Sequence, residues 1–190
     1  MYDYIAIERT YGSGGHKIAE QLAKRLNYRL YDRSVVVETC KRMGLDYDVV
    51  SGMDEQNPVK TFFNAPGDNP SMEEKIYNTQ VSIIKEAAEQ PGCIFVGRGA
   101  SEILKDKKIL KVFITARDSY RRDRAKNVEK IEEAKIDETM KKFDKKREKF
   151  FSTHVNGGKW GSIEYFDLII DSSEISEDGA VAMLEALAKA

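Results

Sequence analysis

Apolar residues follow two alternating patterns along this chain of 190 residues. Short continuous apolar runs predict buried strands, and longer stretches with an apolar residue at every third or fourth position predict amphipathic helices. The predicted strands are Tyr4–Glu8, Arg29–Tyr31, Cys93–Val96, Leu110–Thr115 and Leu168–Asp171. The predicted helices are Gly14–Leu26, Ser34–Met43, Met72–Glu89 and Glu177–Ala188. Strands that alternate with helices predict an α/β fold with a mostly parallel sheet.

Two stretches depart from this alternation. Residues 44–70 are the least regular part of the chain and hold three of its four prolines, which we interpret as short helices and loops. Residues 117–151 contain thirteen Lys or Arg and nine Asp or Glu. A pair of solvated helices joined by i,i+4 ion pairs would explain this composition. A basic lid over phosphates would explain it as well, and the cluster of Arg121, Arg122 and Arg124 favours the lid because a guanidinium group suits phosphate oxygens.

The composition limits the classes of protein to which the chain can belong. Its length fits one domain over residues 1–190. With 41% hydrophobic and 33% charged residues, the chain can bury a core and stay in solution. No apolar stretch approaches the roughly 18 residues that span a bilayer, and the N-terminus does not resemble a signal peptide. We therefore expect a cytoplasmic protein with no membrane partner, and the net charge of −1 gives no reason to expect a nucleic-acid partner. Cys40 and Cys93 lie far apart, and we expect reduced thiols, with Cys93 in the core.

A glycine-rich turn between the first predicted strand and the first predicted helix carries the strongest functional signal. The turn reads T-Y-G-S-G-G-H-K and holds Gly12, Gly14 and Gly15. Glycine adopts positive φ angles without strain, so successive main-chain N–H groups can point at one anion. The helix that follows adds unpaired N–H groups and the positive end of its dipole. The turn therefore predicts a phosphate-binding site.

This turn differs from the standard Walker A loop, G-x-x-x-x-G-K-[S/T], which uses its lysine for the terminal phosphates and its hydroxyl for Mg²⁺. Aligned on that pattern, Arg9 stands at the first glycine, Gly15 at the lysine and His16 at the Ser/Thr. Lys17 comes one residue late, which turns it by about 100° around the helix, and it is either a phosphate contact or a surface cation. Arg9 and the arginines of the charged stretch could supply the missing charge, and Ser13 or water would hold Mg²⁺.

Six stretches keep a fixed order that covers nearly the whole chain. They are E-R-T-Y-G-S-G-G-H-K-I-A-E, R-L-Y-D-R, C-I-F-V-G-R-G-A, K-V-F-I-T-A-R-D-S-Y-R-R-D-R, D-K-K-R and Y-F-D-L-I-I-D-S-S. This set resembles the cytidylate-kinase-like family, the divergent relatives of bacterial cytidylate kinase. The resemblance implies a three-layer P-loop fold with five parallel strands in adenylate-kinase-like order, a helical acceptor-binding arm at about 44–90 and a basic helical lid at about 117–150. The implied reaction moves a phosphoryl group from ATP, with Mg²⁺, to a nucleoside monophosphate, by positioning and electrostatics.

The resemblance is uneven on the acceptor side. Asp32 matches the aspartate that follows the second strand, or alternatively it caps the second helix. The family's arginine six residues later is Glu38 here, which leaves Arg33 for that contact with the acceptor phosphate. Arg98 matches the arginine that grips the acceptor phosphate, or alternatively it belongs to a structural ion pair. The neighbouring aspartate, which reads the cytosine amino group, is Gly99 here, so specificity for CMP is not implied.

The charged stretch supplies the remaining implied site residues. Arg121, Arg122 and Arg124 match the lid arginines near the ATP phosphates and are the implied catalytic cations. Asp144 and Arg147 match a pair that contacts ribose and phosphate, or alternatively they form an ordinary i,i+3 pair on a solvated helix.

Three functions follow from the sequence. The first is a phosphoryl transferase that uses Mg-ATP, held by Arg9 and the turn, and a nucleotide or related small phosphate-bearing acceptor. The second is a regulator that binds nucleotide or phosphate without catalysis, favoured by the loss of both Walker side chains. The third and weakest is a protein-binding surface on the charged helices at 129–149. Trp160 either stacks on a base or anchors its loop to the core, and the sequence does not decide the oligomeric state.

Overall fold

A five-stranded parallel sheet forms the centre of the protein. The computed structural model describes residues 1–50 and 71–190. The strands are β1 (Tyr4–Arg9), β2 (Arg29–Tyr31), β3 (Cys93–Val96), β4 (Ile109–Thr115) and β5 (Leu168–Asp171). They lie in the order β2-β3-β1-β4-β5, and every adjacent pair is parallel. The predicted α/β fold with five parallel strands is confirmed. The strands could be predicted because central strands that are covered on both faces are apolar along their length.

Helices connect the strands. They are α1 (Gly15–Leu26), α2 (Arg33–Met43), α3 (Met72–Ala87), α4 (Ala100–Ile103), α5 (Asp118–Asn127), α6 (Ile136–His154) and α7 (Glu177–Lys189), with a 3₁₀ turn at Glu133–Lys135. Residues 47–50 are also helical. The four helices predicted from apolar periodicity are confirmed, and the charged stretch forms α5 and α6. The sequence did not predict α4, because one helical turn is too short to show a periodic pattern.

The helices cover both faces of the sheet and produce three layers. On one face, Ile18 of α1 and Leu184 of α7 share a buried cluster with Ile7 of β1. On the other face, Ile84 of α3 joins Phe95 of β3 in a second buried cluster, together with residues of α2 and α4. Full burial of a side chain of this size is worth about 1.5–3 kcal/mol. The sheet is therefore a rigid base for the loops at its carboxyl edge.

The helix starts differ in a way that bears on function. Ser71 caps α3 by accepting a hydrogen bond from the N–H group of Glu74 at 3.2 Å, and Ser176 caps α7 by accepting one from Gly179 at 3.1 Å. Gly14 precedes α1 and offers no side-chain cap. The first N–H groups of α1 therefore need another acceptor.

An aromatic cluster holds the chain between α6 and β5. Phe151 of α6 packs with Phe113 of β4 and with Phe166. Trp160 lies edge-on to Phe113, with ring centroids 5.0 Å apart. Trp160 therefore anchors its loop to the core, in agreement with the second of its two interpretations.

The predicted acceptor arm at about 44–90 is only partly covered, because residues 51–70 lie outside the described residues. In the described part, Ile76 of α3 packs with Val36 of α2 and with Val50. Cys93 is buried and both cysteines are free thiols, as expected. Within residues 1–50 and 71–190, no helix has the length and apolar character needed to cross a membrane.

Candidate functional site

A cleft of about 580 Å³ opens at the carboxyl ends of the central strands. Parallel α/β sheets bind ligands where the order of strands reverses, and here β1 lies between β3 and β4. More cations than carboxylates line the cleft: Arg9, Lys17, Arg33, Arg98, Arg124, Lys146 and Arg147 against Glu8, Glu20, Asp32 and Glu129. This excess of positive charge favours an anionic ligand.

Residues of the glycine-rich loop after β1 line this cleft. Gly12 and Gly14 have φ angles of 76° and 75°, in the left-handed region that favours glycine. In the part of the chain that the structure describes, no hydrogen-bond acceptor is found for the N–H groups of Gly12, Gly14, Gly15, His16 and Lys17. Open N–H groups at the start of a helix form an anion-binding arrangement.

Arg9 occupies the space that a Walker lysine would need. A Cβ atom at Gly15 would lie 2.7 Å from the Cβ atom of Arg9, which is closer than such atoms approach. The guanidinium group of Arg9 reaches Gly97. A Cβ atom at position 97 would lie 2.9 Å from Nη1 of Arg9. Glycine at both positions therefore leaves room for the arginine, and a lysine at position 15 would clash with Arg9 at its Cβ atom.

Ser13 shapes the loop from the inside. The residue is fully buried, and its hydroxyl donates a hydrogen bond to the carbonyl oxygen of Thr10 at 2.8 Å. Its own carbonyl oxygen accepts a hydrogen bond from the hydroxyl of Ser172 at 2.6 Å. The Ser13 hydroxyl is therefore bonded to the main chain of its own loop, and Ser13 does not line the cleft, so its contact with Mg²⁺ remains a prediction.

Arg121 and Asp144 hold the loop rather than face the cleft. Arg121 is buried, and its Nε donates a hydrogen bond to the carbonyl oxygen of Tyr11 at 2.7 Å. Asp144 accepts a hydrogen bond from the N–H group of Tyr11 at 2.7 Å and forms an ion pair with Arg121. The two side chains therefore grip both sides of one loop residue, whose ring also stacks on Phe143 of α6. Neither Arg121 nor Asp144 lines the cleft.

The other two lid arginines have different positions. Arg122 is exposed, pairs with Asp137 at 2.6 Å and does not line the cleft. Arg124 lines the cleft, and its Nη1 donates a hydrogen bond to Glu177 at 2.5 Å. Of the three arginines that the sequence groups together, Arg121 and Arg124 both contact the glycine-rich loop, but only Arg124 lines the cleft.

Asp32 and Arg33 lie at the end of β2, beside His16. Asp32 caps α2 by accepting a hydrogen bond from the N–H group of Ser34 at 3.2 Å, and it also lies 3.5 Å from Nε2 of His16. His16 lies 3.3 Å from Glu20 as well. Both Asp32 and Arg33 line the cleft, so the capping role of Asp32 does not remove it from the site.

Arg98 lies in a strained turn at the end of β3. Its φ angle is 65°, and Gly97 and Gly99 on either side also have positive φ angles. Such backbone is uncommon for a residue with a side chain and is found at functional sites. Desolvation by burial, with a further contribution from the nearby charge of Arg9, lowers the pKa of Arg98 to about 10. The guanidinium group lies 5.8 Å from the centroid of the Phe150 ring.

Arg147 connects α6 to the end of β1. Its Nη1 donates a hydrogen bond to the carbonyl oxygen of Arg9 at 3.2 Å. Its guanidinium group also lies 5.9 Å from the centroid of the Tyr11 ring. Arg9, Arg98 and Arg147 therefore bring three positive charges from separate elements to one cleft.

Glu8 is a buried carboxylate in the cleft that sequence reasoning missed. One of its oxygens lies 3.9 Å from Nη1 of Arg9. Burial raises the pKa of Glu8, and the charges of Arg9, Arg147 and Arg98 oppose this shift. The available signal was a charged residue at the end of an otherwise apolar strand.

A second cavity of about 570 Å³ adjoins the other side of Lys17. It is lined by Lys17, Gln21, Tyr120, Ser172, Ser173, Glu174, Ser176, Glu177 and Asp178. No single stretch of the sequence marks this cavity, because its walls come from α1, α5, the segment after β5 and the start of α7.

Comparisons with known proteins agree with this geometry. Residues 4–174 match the model of the cytidylate kinase-like family. An uncharacterized protein from Eubacterium ventriosum is 26% identical over 98% of both chains, with a TM-score of 0.76. Shikimate kinase from Bacteroides thetaiotaomicron is 13% identical over 98% of both chains, with a TM-score of 0.60. The protein TT1252 from Thermus thermophilus is 11% identical over 98% of this chain and 96% of its own, with a TM-score of 0.61. No match was found among curated proteins.

Proposed function

This chain belongs to the cytidylate kinase-like family, and we propose that it transfers the γ-phosphoryl group of ATP to a nucleoside monophosphate or a related small acceptor that carries a phosphate. One observation carries the proposal. The N–H groups of Gly12, Gly14, Gly15, His16 and Lys17 find no acceptor among the described residues, and they lie beside a cleft rich in cations. Phosphate oxygens satisfy both features. We place the reaction in the cytoplasm, in line with the sequence analysis.

In this proposal, ATP as the donor occupies the glycine-rich loop at residues 12–17, which we call the phosphate loop. Its phosphates accept hydrogen bonds from the loop N–H groups, and Arg124 and Lys17 face the same space from two helices. Within the described residues, no group of three or more His, Cys, Asp or Glu side chains is placed to hold a metal ion. Mg²⁺ would enter with ATP, held mainly by phosphate oxygens and water, as is common for this ion. It would neutralise the charge that develops on the transferred group.

The acceptor occupies the part of the cleft near Arg98. Arg9, Arg33 and Arg147 also line the cleft, and arginine holds phosphate oxygens in a fixed geometry. Gly99 has no side chain that could accept a hydrogen bond from the amino group of a base, as the family's aspartate does. A Cβ atom there would lie 3.5 Å from Val155, in a backbone with φ of 62°. The acceptor is therefore held mainly by its anionic groups.

A coupled assay of ADP release tests this proposal. The protein is incubated with Mg-ATP and a panel of nucleoside monophosphates, and shikimate is added to the panel because shikimate kinases share the fold. We expect Mg²⁺-dependent turnover with at least one acceptor. The absence of turnover with every acceptor, together with measurable ATP binding, would refute the transferase.

The alternative is a regulator that binds nucleotide without turnover. A side chain at Gly15 would clash with Arg9 at its Cβ atom, and the Ser13 hydroxyl is bonded to the carbonyl oxygen of Thr10. A regulator of this kind would raise its melting temperature with ATP and leave the nucleotide intact. The same assay, run beside a thermal shift experiment, separates the two functions.

A further inference from the structure

The carboxylate of Glu177 joins two cations beside the phosphate loop. Its Oε1 accepts a hydrogen bond from Nη1 of Arg124 at 2.5 Å, and its Oε2 lies 3.0 Å from Nζ of Lys17. A Cβ atom at Gly14 would lie 3.1 Å from Oε1 of Glu177 and 3.2 Å from Cζ of Arg124. The start of α7, the lid helix α5 and the phosphate loop therefore meet at the residue that precedes α1.

Stabilisation of α7 does not by itself account for this arrangement. Glu177 is the first residue of α7, where an acidic side chain interacts favourably with the helix dipole. Asp178 in the same turn serves that purpose while its side chain is 82% exposed. The side chain of Glu177 is only 16% exposed and is directed at cations of two other helices.

Arg124 keeps one donor without a partner. Its Nε is buried and has no hydrogen-bond acceptor among the residues that the structure describes. This atom has almost no accessible surface, so a ligand in the cleft would meet the other N–H groups of the guanidinium. Because the guanidinium group lies against Gly14 and Arg124 lines the cleft, a phosphate held by the open N–H groups of the loop would lie within its reach.

We propose that Glu177 is a positioning residue, which holds Lys17 and Arg124 over the phosphate loop so that this pair replaces the missing Walker lysine. The inference rests on the proposed function, because it needs a phosphate in the loop. Two cations this close repel each other, and the carboxylate between them offsets that repulsion. It also fixes the guanidinium group through Nη1, which leaves Nη2 for the ligand.

Isothermal titration of the full chain with inorganic tripolyphosphate and with ATP tests the proposal. We expect Glu177→Gln to weaken the binding of both ligands about tenfold, the loss typical for a charge-assisted contact. Glu185→Gln is the matched control, because Glu185 lies on the same helix and pairs with Lys189 at 2.6 Å. The control is expected to bind both ligands like the unchanged protein.

A double-mutant cycle distinguishes positioning from simple stability. If Glu177 acts through Arg124 and Lys17, Glu177→Gln weakens binding less once Arg124→Ala is present, because only Lys17 is then left to position. Equal or tighter binding by Glu177→Gln alone would overturn the proposal, and tighter binding would show that the carboxylate competes with phosphate. If Glu177→Gln does not fold, Glu177→Asp keeps the charge but is too short to reach both cations, and it must bind more weakly than the unchanged protein.

The failure of this inference and the failure of the proposed function give different results. If the unchanged protein binds neither tripolyphosphate nor ATP, the phosphate loop assignment and the proposed function fall together. If it binds both ligands and Glu177→Gln binds them equally well, only the role of Glu177 is refuted.

Discussion

The phosphate loop and the charged segment 117–150 are both predicted to bind phosphate, yet they use their polar groups in opposite ways. In the loop, main-chain N–H groups from Gly12 to Lys17 are largely left without acceptors among the described residues. In the charged segment, many cations are already paired within the protein. Examples are Arg121 with Asp144, Arg122 with Asp137 and Lys126 with Glu133.

This difference shows why a count of charges does not locate a binding site. Ion pairs between the two helices join α5 to α6, in place of the predicted i,i+4 pairs. Arg124, Lys146 and Arg147 line the cleft, and their role as a lid remains a prediction. A donor atom that already has a partner inside the protein is unavailable to a ligand without the loss of that bond. Arg124 is bonded to Glu177 through Nη1, and its other N–H groups have no partner among the described residues. Four variants probe this comparison.

The largest effect is expected for Arg121→Ala. The substitution leaves Asp144 and the carbonyl oxygen of Tyr11 without their partner in a buried setting. We expect the free energy of unfolding to fall by about 3–5 kcal/mol, as for other broken buried ion pairs. Urea denaturation measures this loss. A stable Arg121→Ala protein that no longer binds ATP would instead make Arg121 a phosphate contact.

The second-largest effect is expected for Gly15→Lys, which places a lysine at the position that aligns with the Walker lysine. Its Cβ atom would lie 2.7 Å from that of Arg9, so we expect a destabilisation of about 1–3 kcal/mol. ATP affinity is not expected to rise. Adding Arg9→Gly removes the clash and should recover the melting temperature. If Gly15→Lys alone binds ATP more tightly at unchanged stability, the coupling of these two positions is wrong.

Arg98→Ala is expected to affect binding more than stability. Alanine tolerates the φ angle of 65° no worse than arginine does, and the lost guanidinium group is the predicted acceptor contact. We expect acceptor affinity to fall roughly tenfold or more, with ATP affinity unchanged. Titration with the best acceptor from the assay panel measures this. A large loss of melting temperature with intact acceptor binding would assign Arg98 to a structural pair with Glu8.

The smallest effect is expected for Arg122→Ala. Arg122 and Asp137 are both exposed, and exposed ion pairs contribute little to stability. We expect the melting temperature to change by less than about 2 °C, with unchanged binding of ATP. A clear loss of ATP binding would restore Arg122 to the set of catalytic cations.

Most of the fold could be predicted because its signals are local. Apolar periodicity depends on neighbours a few residues apart, so the five strands and the four predicted helices agree with the structure closely. The glycine-rich turn and the helix after it could be predicted for the same reason, because the glycine spacing and the start of the helix are contained in eight residues. The short helix α4 and the cavity beside Lys17 carry no comparable local signal.

The sequence by itself determined the strand order implied by its family motifs, the glycine turn and the absence of a Walker lysine. Only the tertiary structure decided which charges are available to a ligand. Arg121 and Arg124 are three residues apart on one helix, yet one is bound to Tyr11 and Asp144, and the other faces the cleft beside Glu177. Their partners are up to 110 positions away in the chain. Such contacts form only when the sheet and its helices have packed, because no local pattern encodes the distance between two side chains from separate elements.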